Sequence, residues 1–475
     1  MKKYLIISTI TIAGLLANGC HDQLNPEPID LVVNDVVLNE PKDIEGVEIG
    51  LYRAFRLTMA STVLAGDLTA DNLIHNGTFA QYREIAIKQI TTGNATVSEL
   101  WGTLYGAIYI ANFMIERIPT IEGVTASVRK ESMATAYFIR GLCYFRLAAT
   151  FGGVPKVTTT DIETNRNIAR ATKDEIMALA EADFLLALGN LGGKQATPAT
   201  ACDNAVNAAL ARFYLYKKDY NAAIQYSTAV INSNDYVLEE DYVTIITKDF
   251  TDESIFEVGY TISDDGDGTS LNDLFVSRRE MIPSNNIVPV FDSLANRALG
   301  RRNRAIKFKT ANLKGTDNGW EVANYGTAVD NNNNIVVFRL AEMYLIRAEA
   351  RAILGNVGGI NSAQSDITLL RKRANFPRNL SKKITPKDTV KAHWVVDTLA
   401  TTPTQAQMIS LIEVERRMEL SYEGHRWYDL VRTGRVEQVM PPFNSNWKAA
   451  YELWPIPQRE IQNNPALAGE QNPGY

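Results

Sequence analysis

The sequence predicts a mainly α-helical protein in which tetratricopeptide-like helix pairs stack into a superhelical scaffold, with a loop-rich, partly β segment over one face. Three observations carry this prediction. Apolar residues recur at three- and four-residue spacing wherever the chain is strongly patterned. Two such patterns, Val206 to Phe213 and Ala222 to Val230, meet at a short polar turn of Lys217, Lys218 and Asp219, the layout of one helical repeat unit. From about Asn232 to Asn334 the helical period gives way to short β-rich runs, such as Ile255 to Ile262, between Asp, Gly and Asn clusters.

At the N-terminus Lys2 and Lys3 precede an apolar run from Tyr4 to Leu16 and then Ala17, Asn18, Gly19 and Cys20. This is the layout of a secretory signal peptide over residues 1–19, and the run is shorter than the roughly 20 residues that a membrane span needs. A small residue directly before Cys20 marks that thiol for acylation, although Leu16 stands one position further from the cysteine than the usual pattern has it. Residues 20–40, rich in Asn, Asp and Pro, read as a flexible tether, and 41–475 as a single domain.

Trp101, Tyr105, Ile108, Asn112 and Ile115 share one helix face, and Ala134, Phe138, Gly141, Leu142, Phe145 and Ala149 share another that ends at Gly152, Gly153 and Pro155. Thr172 with Glu175 forms a capping box for a helix running through Ile176, Ala180, Phe184 and Leu188. A further pair starts at Ala341, Leu345 and Ala348, turns through Gly355 to Gly359, and resumes at Ala363, Ile367 and Leu370. Such units cannot bury their apolar faces alone, so several must stack.

The net charge of −6 and the scatter of basic residues along the chain give no footprint for nucleic acid and disfavour an anionic partner. Cys143 and Cys202 each lie within an apolar helical pattern; too few for a disulfide scaffold, they read as buried thiols or as a pair. The four histidines, His21, His75, His393 and His425, lack the spacing of a zinc hydrolase. No nucleophile elbow and no phosphate loop occur. Ser263, Asp265, Asp267 and Gly268 resemble the start of a calcium loop, but Leu274 stands where the closing Glu belongs.

Several segments together resemble the SusD/RagB family of outer-membrane lipoproteins. They are Trp101 to Asn112, the run YFIRGLCYFRLAATFGGVP from Tyr137 to Pro155, RLAEMYLIRAEA from Arg339 to Ala350, and EVERRMELSYEGHRWYDLVR from Glu413 to Arg432, followed by LWPIPQREIQNNPAL and a terminal QNPGY. The resemblance implies about four tetratricopeptide-like helix pairs under a loop-rich ligand face. It also implies a non-catalytic protein at the cell exterior that binds oligosaccharides, or peptides as in the RagB branch, and passes them to a SusC-type TonB-dependent β-barrel. An exported polysaccharide hydrolase is the competing class. Glu415, Arg416, Glu419, Glu423 and Arg426 invite a catalytic reading, yet their helical spacing suits a buried structural ion network reaching Glu342 and Glu349.

Sugars present flat C–H patches ringed by hydroxyls, which calls for aromatic rings beside planar polar side chains. Two loop regions offer that combination: Asp71, Asn72, Phe79, Tyr82 and Arg83, and then Trp320, Asn324 and Tyr325. Trp101, Trp427 and Trp454 fall in motifs that read as packing. The first testable consequence concerns the anchor. Cys20→Ala is expected to abolish acylation and to move the protein out of the membrane fraction in cells lacking the transporter, since no other segment offers a hold.

Overall fold

A computed structural model describes residues 38–260, 270–291, 305–309, 313, 315–326, 334–374 and 402–475. Cys20 and the calcium candidates Ser263, Asp265 and Asp267 lie outside them. The helices that matter are α1 (Asp43–Arg56), α2 (Met59–Asp67), α3 (Ala80–Ala86), α4 (Ala95–Arg117), α5 (Ala126–Phe151), α6 (Lys173–Ala187), α7 (Asp203–Lys217), α8 (Tyr220–Ser233), α9 (Leu340–Ile353), α10 (Ala363–Ala374), α11 (Gln405–Glu419) and α12 (Arg426–Arg432). Among them no helix is long and apolar enough to cross a membrane.

Local signals act where the sequence places them. The Asn94 side chain accepts from the amides of Thr96 and Val97 and opens α4, and the Thr172–Glu175 capping box is formed at the head of α6. Helix α5 stops at Gly152, whose φ of 77° suits a residue without a Cβ. Between α7 and α8, Lys218 turns left-handed with φ 61° and the Asp219 carboxylate accepts from the Ala222 amide. A two-residue turn leaves those helices antiparallel, with the Tyr214 and Tyr226 rings stacked 5.5 Å apart.

The helices pair as α1 with α4, α5 with α6, α7 with α8, and α9 with α10, and successive pairs join through α4 on α5, α6 on α7 and α8 on α9. This is the stacked repeat scaffold that the periodicity predicts. Small residues set the approach distances: a Cβ on Gly141 would fall 2.8 Å from the Phe184 ring, so glycine lets α5 and α6 close. Trp101, Ile108, Asn112, Trp427 and Trp454 are all buried, as are the free thiols Cys143 and Cys202. At the other end, Leu38 is fully buried and Arg117 holds the Asn39 side chain at 2.9 Å. The packed body therefore starts before the tether boundary expected at residue 40, because an apolar side chain there finds the core.

Among the described residues three two-stranded antiparallel sheets accompany the helices: β1 (Leu73–His75) with β3 (Met281–Pro283), β2 (Ser254–Val258) with β6 (Ile335–Arg339), and β4 (Ile306–Phe308) with β5 (Trp320–Val322). The β2–β6 ribbon packs Phe256 against Phe55 and Phe138 and delivers Arg339 to the head of α9. The Arg339 fork grips Glu423 at 2.8 and 2.9 Å, while Nη1 reaches Glu253 and Glu419, each at 2.8 Å. Arg373 of α10 also joins Glu253 and Glu419. Burial raises the Glu423 carboxyl even with Arg339 upon it.

A second set links Arg212 to Glu342, Arg416 and Arg432 to Asp429, and Arg432 to Glu349. Glu349 is thus tied to the Glu413–Arg432 segment through Arg432, as expected, whereas Glu342 takes its ion pair from Arg212 of α7. His425, 3.9 Å from Glu342, is held neutral because burial pulls its pKa down to about 3.

Removing one partner from such a set strands the others in a poor solvent. Arg339→Met is expected to cost about 3–5 kcal/mol of stability in urea unfolding. The loss should grow as pH rises from about 5 to 8, because the Glu423 carboxyl, already raised by burial, is tolerated protonated and resisted ionised once Arg339 is gone.

Candidate functional site

The loop face is assembled around residues 278–285. In β1–β3, His75 pairs with Met281 and Leu73 with Pro283, which brings Glu280 under the start of α3. The Glu280 carboxylate accepts from the Thr78 amide at 2.9 Å and from the Phe79 amide at 3.1 Å, serving as a cap supplied from another segment. A Cβ at Gly77 would fall 2.1 Å from that carboxyl, so only glycine permits the approach. His75 Nε2 lies 3.4 Å from Glu280, and burial lowers the imidazole's pKa despite it.

On the other side of this segment Arg279, with φ 52°, forks onto Asp317 at 2.7 and 2.9 Å and donates to the Trp320 carbonyl at 2.8 Å. Asn318 donates to the Pro283 carbonyl at 2.8 Å. These bonds hold the β4–β5 hairpin beside β3. Its register sets Phe308 opposite Trp320 and Lys307 opposite Glu321. Strand alternation therefore separates two faces. Ile306 and Val322 are buried at the inner end of one face, and Phe308 and Trp320 form its outer end, edge to face at 5.5 Å. Phe308 is 59% exposed and Trp320 half-buried. On the reverse face Lys307 and Lys309 reach Glu321 at 3.0 and 2.8 Å.

The two loop regions picked from the sequence thus meet in space, but only part of each is presented. Phe79 is half-buried, edge-on to Tyr82 at 5.9 Å, and Arg83 and Trp320 also reach the surface. Asp71 is instead buried between Arg417 at 2.9 Å and Arg426 at 2.8 Å. Burial alone would raise its carboxyl; the two guanidiniums bring it below the ordinary range. Asn72, also buried, donates to Asp67 at 2.7 Å and accepts from Arg417 at 3.0 Å.

Tyr82, Asn324 and Tyr325 are buried as well; the Tyr325 hydroxyl donates to the Tyr422 carbonyl at 3.1 Å. Asn324 and Tyr325 line a separate small pocket with Glu257, Asn334 and Glu423. Asp71 and Asn72 are drawn inward by Arg417 and Arg426, whereas Asn324 and Tyr325 are held by the Ser421 and Tyr422 carbonyls between α11 and α12. Phe308 is the residue that the reading of the sequence missed, although the alternation Ile306, Lys307, Phe308, Lys309 signalled a strand with that ring beside Ile306.

Among the described residues no group of three or more His, Cys, Asp or Glu is placed to hold a metal. The arrangement can instead offer exposed ring faces beside fixed donors. Fold and surface together define a helical-repeat scaffold protein carrying a loop-built aromatic platform.

Comparison with known proteins narrows that class. The model of the SusD family matches residues 302–475, and a second, described as starch-binding associating with outer membrane, matches residues 27–215. The chain belongs to the SusD/RagB family. It is 25% identical to SusD-like protein P38 of Formosa agariphila, with 100% of each chain covered. A laminarin-binding SusD-like protein superposes with a TM-score of 0.74 at 20% identity, covering 92% of this chain and 100% of the other. Surface glycan-binding protein A from Bacteroides fluxus gives 0.72 at 22% identity, with 92% and 100% covered.

The buried placement of Asp71 carries its own test. Asp71→Ala is expected to destabilise the fold by about 3–5 kcal/mol, as removal of one member of a buried ion set does. Since the folded carboxyl lies below its unfolded value, its stabilisation is present above the unfolded pKa and lost as pH falls through the folded one. The difference between wild type and variant in thermal midpoint should therefore narrow under acid conditions.

Proposed function

We propose that this protein is a non-catalytic, lipid-anchored lipoprotein on the outer face of an outer membrane. It captures oligosaccharides on the Phe308–Trp320–Phe79 platform and hands them to a SusC-type TonB-dependent β-barrel. The exposed edge-to-face pair of Phe308 and Trp320 is the observation that carries the reading. A ring held by its neighbour and by backbone bonds loses little freedom when a pyranose stacks on it. Family membership supports the glycan, as do the laminarin-binding and glycan-binding descriptions of the two structural relatives.

The non-catalytic reading is supported by the state of the nearby acids. A glycosidase needs one carboxyl poised to give up a proton and a second about 5–10 Å away. Asp317 is forked by Arg279, which lowers its pKa, Glu321 lies under two lysines, and Glu280 is occupied by backbone amides. Handover to a barrel would need a further broad face, of the order of 1,000 Å² or more for a specific complex.

Trp320→Ala is expected to weaken binding of the cognate glycan by about 1–3 kcal/mol with folding preserved, and Phe308→Ala by a similar amount, both read by calorimetry. Unchanged affinity in the double variant would place the site elsewhere, and steady release of reducing sugar from any glycan would overturn the non-catalytic reading. Gentle solubilisation with cross-linking should recover the β-barrel as a partner.

A further inference from the structure

We infer that the glycan taken by this platform is anionic, carrying carboxylate or sulfate groups that Arg83 and Arg278 receive beside Phe79. The inference rests on reading the platform as the glycan site. It runs against the bulk charge, since a chain of net charge −6 gives no reason to expect a cationic surface. Yet the fold gathers Arg83 and Arg278 around Phe79 and sets Arg279 against the Trp320 carbonyl, with Lys307 and Lys309 on the reverse face of the hairpin that carries Phe308 and Trp320. Those residues are scattered in sequence and come together only because β1–β3 and β4–β5 dock through the 278–285 segment.

The acids that face this cluster are already engaged. Asp317 is held by Arg279, and Glu321 by Lys307 and Lys309. Glu280 is turned inward to the Thr78 and Phe79 amides and to His75. Asp273, five residues before Arg278, accepts from the Ser270 hydroxyl, and Glu84, next to Arg83, accepts from Thr91 and Asn94. Arg83 and Arg278 are left exposed, and neither makes an ion pair among the described residues.

Their placement is not arbitrary. The Arg278 guanidinium stands 5.3 Å from the centre of the Phe79 ring, a cation–π contact that holds the group in place without neutralising its charge. Arg83 follows on α3, its amide bonded to the Phe79 carbonyl, one helical turn from that ring. A sugar stacked on the ring would thus meet guanidinium edges suited to two-point recognition of a carboxylate or sulfate. A neutral glycan would partly desolvate both cations and return no counter-charge.

The test is an array of neutral, uronate and sulfated glycans, followed by calorimetry of the full mature chain with laminarin, alginate and a sulfated galactan at about 50 and about 500 mM salt. Binding is expected for a charged polymer, falling at least about tenfold between the two salt conditions. Arg278→Gln and Arg83→Gln should each weaken it and together flatten the salt dependence, while the remote Arg166→Gln changes nothing. Which charged polymer binds identifies carboxylate or sulfate. Preference for a neutral glycan, or charged binding that survives the double arginine variant, overturns the inference; in either case loss on Trp320→Ala leaves the platform reading standing. Binding to no glycan on the array overturns both.

Discussion

Burial of charge is the constraint on which the rest of this structure depends. Arg339 is 1% exposed and touches Glu253, Glu419 and Glu423, residues drawn from the β-rich segment, from α11 and from the loop after it. An uncompensated ion in that position would cost several kcal/mol, so the elements bearing its partners are admitted only in the arrangement that pairs them. The helical repeats alone do not demand such an arrangement, because apolar faces tolerate sliding far better than forked guanidinium–carboxylate contacts do. The network therefore fixes the C-terminal region against the repeat scaffold, a specificity role more than a source of net stability.

The same constraint explains what could and could not be read from the sequence. Helix faces, caps and stops were legible because they depend on residues three or four apart: Thr172 with Glu175, the turn at Lys218 and Asp219, and the glycine stop after Phe151. The ion network in the EGHRW region was legible in kind, since so much charge at helical spacing must be paired if it is buried. Its partners in the 67–72 loop were not. Asp71 and Asn72 meet Arg417 and Arg426 across about 350 positions of chain, and nothing local separates a loop carboxylate that awaits a ligand from one that completes a buried pair.

The candidate site divides along the same line. Trp320 and Phe79 could be picked because aromatic residues in polar loops are unusual, but exposure is a property of the docked hairpin. Tyr82 and Tyr325 carry the same chemical signal and are buried; Phe308, in a run that also reads as an ordinary amphipathic strand, is 59% exposed. The clustering of cations is likewise invisible in composition. It arises from two ribbons of three residues per strand, too short to be stable alone, whose mutual position is set by Arg279, Asn318 and Glu280.

Arginine consequently does two opposite jobs in one molecule, and the difference lies in what already surrounds it. Arg339 and Arg416 are buried with carboxylates in place, so their charge is neutralised within the fold and carries nothing outward. Arg279 stands midway: its fork is closed by Asp317, and it serves to hold the Trp320 carbonyl. Its neighbour Arg278, one residue away at the end of the 273–277 helical turn, meets a ring instead of an acid. An aromatic face fixes a guanidinium's position without cancelling its charge. The turn at this point, with Arg278 helical and Arg279 left-handed, thus converts one cation into framework and leaves its neighbour uncompensated at the surface, where a ligand can complete it.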